Sequence, residues 1–155
     1  MRKKIVTVND KMQKKYKYKL TEPTGRNFDA EFKPELTPKQ MLEIGVFEGQ
    51  DLIWTCQNLL RSRKSRVLAI DPWEATRKLD QDRMDAVYAR ARRNLRPWHN
   101  QMNLVRGYSQ EITPGLITDG TQIAGKEIKA GQWDLIVIDG DHNADPVYDD
   151  ASNAL

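Results

Sequence analysis

A disulfide needs two cysteines, and this chain of 155 residues has one, Cys56. Cross-linking is thereby excluded as a source of stability, and a lone thiol on an apolar helix face fits a reducing, cytoplasmic setting. Long apolar runs are missing too. None approaches the ~18 residues that span a bilayer, and Met1-Arg-Lys-Lys leads into too brief an apolar stretch for a secretory signal. The expectation is a cytoplasmic protein with no membrane partner. Excess charge is also scarce: 25 Lys+Arg against 22 Asp+Glu leave +3, which gives no strong argument for a nucleic-acid partner. No internal repeat divides the sequence, and its length suits one domain with one sizeable core.

What is present is organised around Met41 to Gly49, an aliphatic strand delivered into a glycine turn and followed by an amphipathic helix beginning near Asp51. Gly45 stands where a side chain would keep a ligand from the backbone, and Gly49 lets the helix pack close to the strand. Dinucleotide-binding turns carry a third glycine between such a pair. Here Phe47 and Glu48 occupy that space, and Glu43 adds a carboxylate two residues before Gly45. A carboxylate there repels a pyrophosphate but accepts hydrogen bonds from a cationic amino-acid group. S-adenosylmethionine therefore fits better than NAD.

Upstream, residues 1–40 read as a basic extension and linker. Ile5 to Val8 and Lys15 to Leu20 alternate like half-buried strands, the second with Tyr16 and Tyr18 on one face and lysines on the other. A solvated lysine edge is the plainer meaning of that pattern, and a surface for nucleic acid the sharper one. Thr21 to Pro38, broken by prolines, reads as an extended linker or lid.

Downstream, Leu52, Ile53, Cys56, Leu59 and Leu60 recur at helical spacing before cations at 61–64. Arg66 to Asp71 is a second strand, and Asp71 lies 26 positions after Gly45, near the offset at which nucleotide-binding folds place a ribose-binding carboxylate, with an N-cap or turn aspartate as the other reading. Leu79 to Leu95 is the clearest helix, with acids early and arginines late. Met102 to Gly107 makes a third strand closing on Tyr108 and Ser109. Gln110 to Trp133, rich in glycine, admits only a short helix and an irregular insertion. Leu135 to Asp139 is then a fourth strand of interior type, running into Asp139-Gly-Asp-His142.

Strands alternating with helices predict an α/β fold: a Rossmann-like, doubly wound parallel sheet with ligands outside the carboxyl ends of its strands. Glu43 with Gly45, Asp71, Tyr108 with Ser109, and Asp139 to His142 all follow strand ends. The topology brings them to one crevice.

With these residues in place, 41–155 resembles the cofactor-binding half of class I S-adenosylmethionine-dependent methyltransferases, particularly the small-molecule and sugar O-methyltransferase branch. Glu43-Ile-Gly-x-x-x-Gly49 is similar to the family's first motif, Ile70-Asp-Pro-Trp73 to its ribose-binding acid, and Gly107-Tyr-Ser109 to its adenine-side turn. The resemblance implies strand order 3-2-1-4 and methyl transfer to a hydroxyl of a small-molecule or sugar acceptor. It implies that Glu43, Gly45 and Gly49 surround the methionine part, Asp71 holds the ribose, and Tyr108 or Ser109 lies near adenine. Asp139-Gly-Asp-His142 is similar to a signature in metal-dependent members, which implies Asp139 as a Mg²⁺ ligand and His142 as general base. Asp139 and His142 read equally well as cofactor-binding and helix-capping groups, and one carboxylate is not a metal site.

The family continues for further strands, so the expectation is a chain truncated after the fourth, whose open sheet edge favours self-association. The competing function is a non-catalytic nucleotide- or nucleic-acid-binding module on the same core. An NAD-dependent oxidoreductase is disfavoured by Phe47.

Overall fold

The computed structural model describes residues 37–140 and 149–152. The basic runs of the first 36 residues and His142 lie outside the described residues. Four strands form a parallel sheet: β1 (Gln40–Ile44), β2 (Arg66–Asp71), β3 (Met102–Arg106) and β6 (Leu135–Ile138), in the order β3-β2-β1-β6. β1 pairs Leu42 with Leu68 on one side and with Ile136 on the other. The order 3-2-1-4 that the resemblance implies is thus the order found, with β6 as the fourth strand, and among the described residues β6 pairs with β1 alone.

Alternation along β1 and β2 divides the core between the sheet's two faces. Met41, Val67 and Ala69 face helices α1 (Gln50–Asn58) and α2 (Gln81–Leu95), packing with Leu52, Ile53, Val87 and Leu95. Leu42, Ile44, Leu68 and Ile70 face the opposite way. Burying such a side chain contributes on the order of 1.5–3 kcal/mol. β1 and β2, buried on both faces, therefore hold the domain together.

Helix α2 forms where its periodicity predicts, with Asp80 as N-cap accepting from the Arg83 N–H at 2.9 Å. Its stripe of Met84, Val87, Ala91 and Leu95 is buried. Helix α1 is shorter than its apolar spacing suggests. Leu59 and Leu60 leave the helix yet remain buried, and the Arg61 guanidinium returns to the Asn58 carbonyl.

The glycine-rich stretch holds more order than expected. Helix α3 (Ser109–Thr118) runs through Pro114, with Leu116 buried against the sheet. It is followed by a hairpin of β4 (Thr121–Ile123) and β5 (Lys126–Ile128). The two-residue connection has φ of 47° at Ala124 and 76° at Gly125, both left-handed as a type I′ turn requires. Ile123 and Ile128 are buried over Leu42, Ile44, Leu68 and Ile70. The Asn103 amide pins the hairpin to β3, donating to the Gln122 carbonyl and accepting from the Ala124 N–H. A small hairpin thus covers a face that crossover helices alone usually cover.

Candidate functional site

The carboxyl ends of the strands open on a crevice of about 1020 Å³. Its floor is the meeting of β1 with β6. The Asp139 N–H donates to the Ile44 carbonyl at 2.7 Å, and the Gly45 N–H to the Ile70 carbonyl at 2.9 Å. Gly45 has φ +90°, and a Cβ there would lie 2.3 Å from the Asp139 carbonyl oxygen. Glycine is thus required by the protein's own backbone, a nearer cause than ligand access. Gly49, at φ +82°, would press a Cβ to 2.9 Å from Leu95 of α2. The element whose approach it is seen to permit is α2.

Asp71 is the hub of the glycine turn. Its Oδ2 accepts from the N–H groups of Val46 at 2.8 Å and Phe47 at 2.9 Å, and its Oδ1 from the Trp73 N–H at 2.7 Å. The Trp73 indole donates back to the Phe47 carbonyl at 2.9 Å. Phe47 and Trp73 have φ of 49° and 44°, a region that bulky residues enter only when their surroundings hold them there. Asp71 supplies that hold for both. A carboxylate has about four lone-pair directions, so the three backbone donors leave Asp71 room for one more on the crevice wall.

Helix α2 fastens the same turn from behind. The Arg90 guanidinium meets Glu48 at 2.6 Å with the Glu48 side chain 2% exposed, and the Asn94 amide donates to the Glu48 carbonyl. Two residues of one helix face, four apart, thus grip one residue of the turn.

The opposite wall is the turn between β3 and α3. The Tyr108 hydroxyl donates to Glu74, and that bond, with further contributions from desolvation and negative charge, raises the phenol above its ordinary pKa. The Ser109 hydroxyl donates to Asp150 Oδ1 at 2.5 Å, a contact across 41 residues. Asp150 lies in the helical segment 149–152 and lines the crevice. No strand-end motif announces it, and only the fold brings it here.

Of the residues singled out by sequence, Gly45, Asp71, Tyr108, Ser109 and Asp139 line one crevice. Glu43 is buried in β1 on the α1 side, where its charge reaches Cys56; burial first, and Glu43 second, push that thiol well above its usual pKa. Gly49 sits behind the turn against Leu95. Among the described residues acids outnumber bases on the walls: Asp51, Asp71, Glu74, Asp139 and Asp150 stand with Glu48 against Arg77. Among the described residues no group of three or more His, Cys, Asp or Glu side chains is placed to hold a metal ion. None of their helices is long and apolar enough to cross a membrane.

The fold is similar to that of an O-methyltransferase from Bacillus cereus in complex with SAH (22% identity, TM-score 0.52). Two further similar solved structures are cofactor-bound Rv0187 from MTB (22%, 0.47) and CalS11, a calicheamicin methyltransferase (14%, 0.49). The alignments cover 76%, 77% and 76% of this chain but only 44%, 45% and 52% of those proteins. The chain thus spans about half the length of the structures it matches. A search of curated proteins found no match. The family model for a methyltransferase domain matches residues 42–155, most of the chain and all of the crevice described above. The chain belongs to the methyltransferase-domain family.

Proposed function

We propose that the crevice binds S-adenosylmethionine and that the protein transfers its methyl group to a hydroxyl of a small-molecule or sugar acceptor. The observation that carries this reading is the charge of the crevice in a chain of this family. Among the described residues six carboxylate residues and one arginine line it, and of the six Glu48 is in a salt bridge with Arg90 of α2. Such a lining favours a sulfonium nucleoside with an ammonium group over a pyrophosphate-bearing dinucleotide or a nucleic-acid backbone. In this reading Gly45 and the turn of Val46 and Phe47 border the methionine part, the spare lone pair of Asp71 takes a ribose hydroxyl, and Tyr108 and Ser109 border the adenine, while Glu43 and Gly49 shape the turn from behind.

In the transfer a C–O bond forms as the S–CH₃ bond breaks, and the acceptor hydroxyl gives up its proton. A base of near-neutral pKa suits that step, and the sequence offers His142, three residues after Asp139. Divalent metal is a separate matter. Octahedral Mg²⁺ takes several oxygen ligands, whereas the described strand ends offer Asp139 without a neighbouring pair. Among the described residues that donor set is too small for the ion.

Calorimetry on the chain with S-adenosylmethionine, S-adenosylhomocysteine and NAD tests the reading. Binding of the first two and not the third is expected. Binding of NAD alone would overturn it.

A further inference from the structure

Asp150 is 2% exposed and Ser109 7%, and their side chains meet at 2.5 Å on the crevice wall. A carboxylate withdrawn from water is costly unless hydrogen bonds replace its hydration, and the Ser109 hydroxyl supplies one. The bond joins two elements that no strand pairing connects: the turn entering α3 and the segment following β6. Ser109 is also the residue on which α3 is founded. Its carbonyl accepts the hydroxyl of Thr113 at 2.8 Å, and Thr113 is fully buried. Its neighbour Tyr108 is held differently, 44% exposed and tethered through its hydroxyl to the exposed Glu74. One end of this two-residue turn is therefore fixed from within, and the other is fastened at the surface.

We infer that Asp150 is a positioning residue of the crevice, acting through Ser109 to fix the wall against which the nucleoside rests. This rests on the crevice being the S-adenosylmethionine site. The role asks for an acceptor at that place. An amide oxygen meets it as well as a carboxylate does, and an alanine does not.

The test uses the full chain and the variants Asp150→Ala, Asp150→Asn, Ser109→Ala and the double alanine, each shown to be folded by cooperative thermal unfolding. S-adenosylhomocysteine is titrated into each by calorimetry. Each single alanine is expected to weaken binding roughly tenfold, the scale of one lost buried hydrogen bond. The double variant should be no weaker than either, and Asp150→Asn should recover most of the affinity. A purely structural role would lower the unfolding midpoint of Asp150→Ala while leaving the folded protein's affinity intact. That result overturns the inference, as do additive losses or an Asn variant as weak as Ala. A wild-type chain that does not bind S-adenosylhomocysteine overturns the reading of the crevice, and this inference with it.

Discussion

The indole N–H of Trp73 reaches the main-chain carbonyl of Phe47 at 2.9 Å, joining two residues that both hold left-handed backbone. Between them lies Asp71, accepting from the N–H of each. Strain on two loops is thus discharged into one carboxylate, and the turns after β1 and β2 behave as a single unit.

Replacing Asp71 should therefore act on stability before it acts on any ligand. Asp71→Ala strands three backbone donors, and a loss of about 2–4 kcal/mol is expected from urea unfolding. Asp71→Asn keeps one carbonyl oxygen and should lose less. Equal stability of the alanine variant and the wild type would remove Asp71 as the hub. Where the variant remains folded, weaker binding of S-adenosylhomocysteine, by about 1–3 kcal/mol, is expected as well.

Two glycines should respond in opposite senses to alanine. At Gly45 the new methyl meets the Asp139 carbonyl at 2.3 Å in a backbone of φ +90°, so Gly45→Ala should cost more than ~2 kcal/mol or separate the ends of β1 and β6. At Gly115, inside α3, no atom lies within 4 Å of the added methyl. Gly115→Ala should stabilise by roughly 0.5–1 kcal/mol. Thermal melts of the two variants decide both.

Removing Arg90 takes a 2.6 Å cationic contact away from the buried Glu48 carboxylate. A loss of about 3–5 kcal/mol is expected for Arg90→Ala, the cost typical of breaking a buried pair from one side. Chemical denaturation measures it, and a loss below ~1 kcal/mol would show that the turn relaxes and lets water reach Glu48.

The Tyr108 phenol is held protonated by Glu74, so its folded pKa lies above its unfolded one. The sign follows from linkage: the folded state binds the extra proton, so this contribution is complete below the unfolded value near 10 and declines as pH rises through the folded one. Spectrophotometric titration should find one tyrosine ionising late, and Glu74→Gln should bring it back toward the ordinary range. An unchanged titration in that variant would mean that the two side chains are apart in solution.

The four sheet strands were legible because each is an aliphatic run ending in an acid or a glycine, and their order was implied by the family resemblance. The hairpin was not. Thr121 to Ile123 and Lys126 to Ile128 are three residues each, too short for a period to register, and their turn is Ala-Gly, without the asparagine or aspartate that marks such turns. Helix α3 was expected to be short because Pro114 lies within it, yet burial of Leu116 on the sheet outweighs the lost N–H. At the crevice, the sequence shows which polar groups follow strand ends but not what each one faces. Asp71 faces three backbone donors, and Glu43 faces α1. Asp150 could not be found by spacing, since its partner is 41 residues away.

The register of β1 also bears on how the chain is made. Met41 pairs with Val67 and with Leu135, so one partner comes 26 residues later and the other 94. At a ribosomal pace of ~5–20 residues per second, the second partner follows the first strand by about 5–20 s, far longer than collapse of a short chain takes. During that interval β1 has one neighbour and a bare aliphatic flank. The nascent chain is most exposed to chaperones and to wrong partners at its central strand, and synthesis of Leu135–Ile138 closes that window.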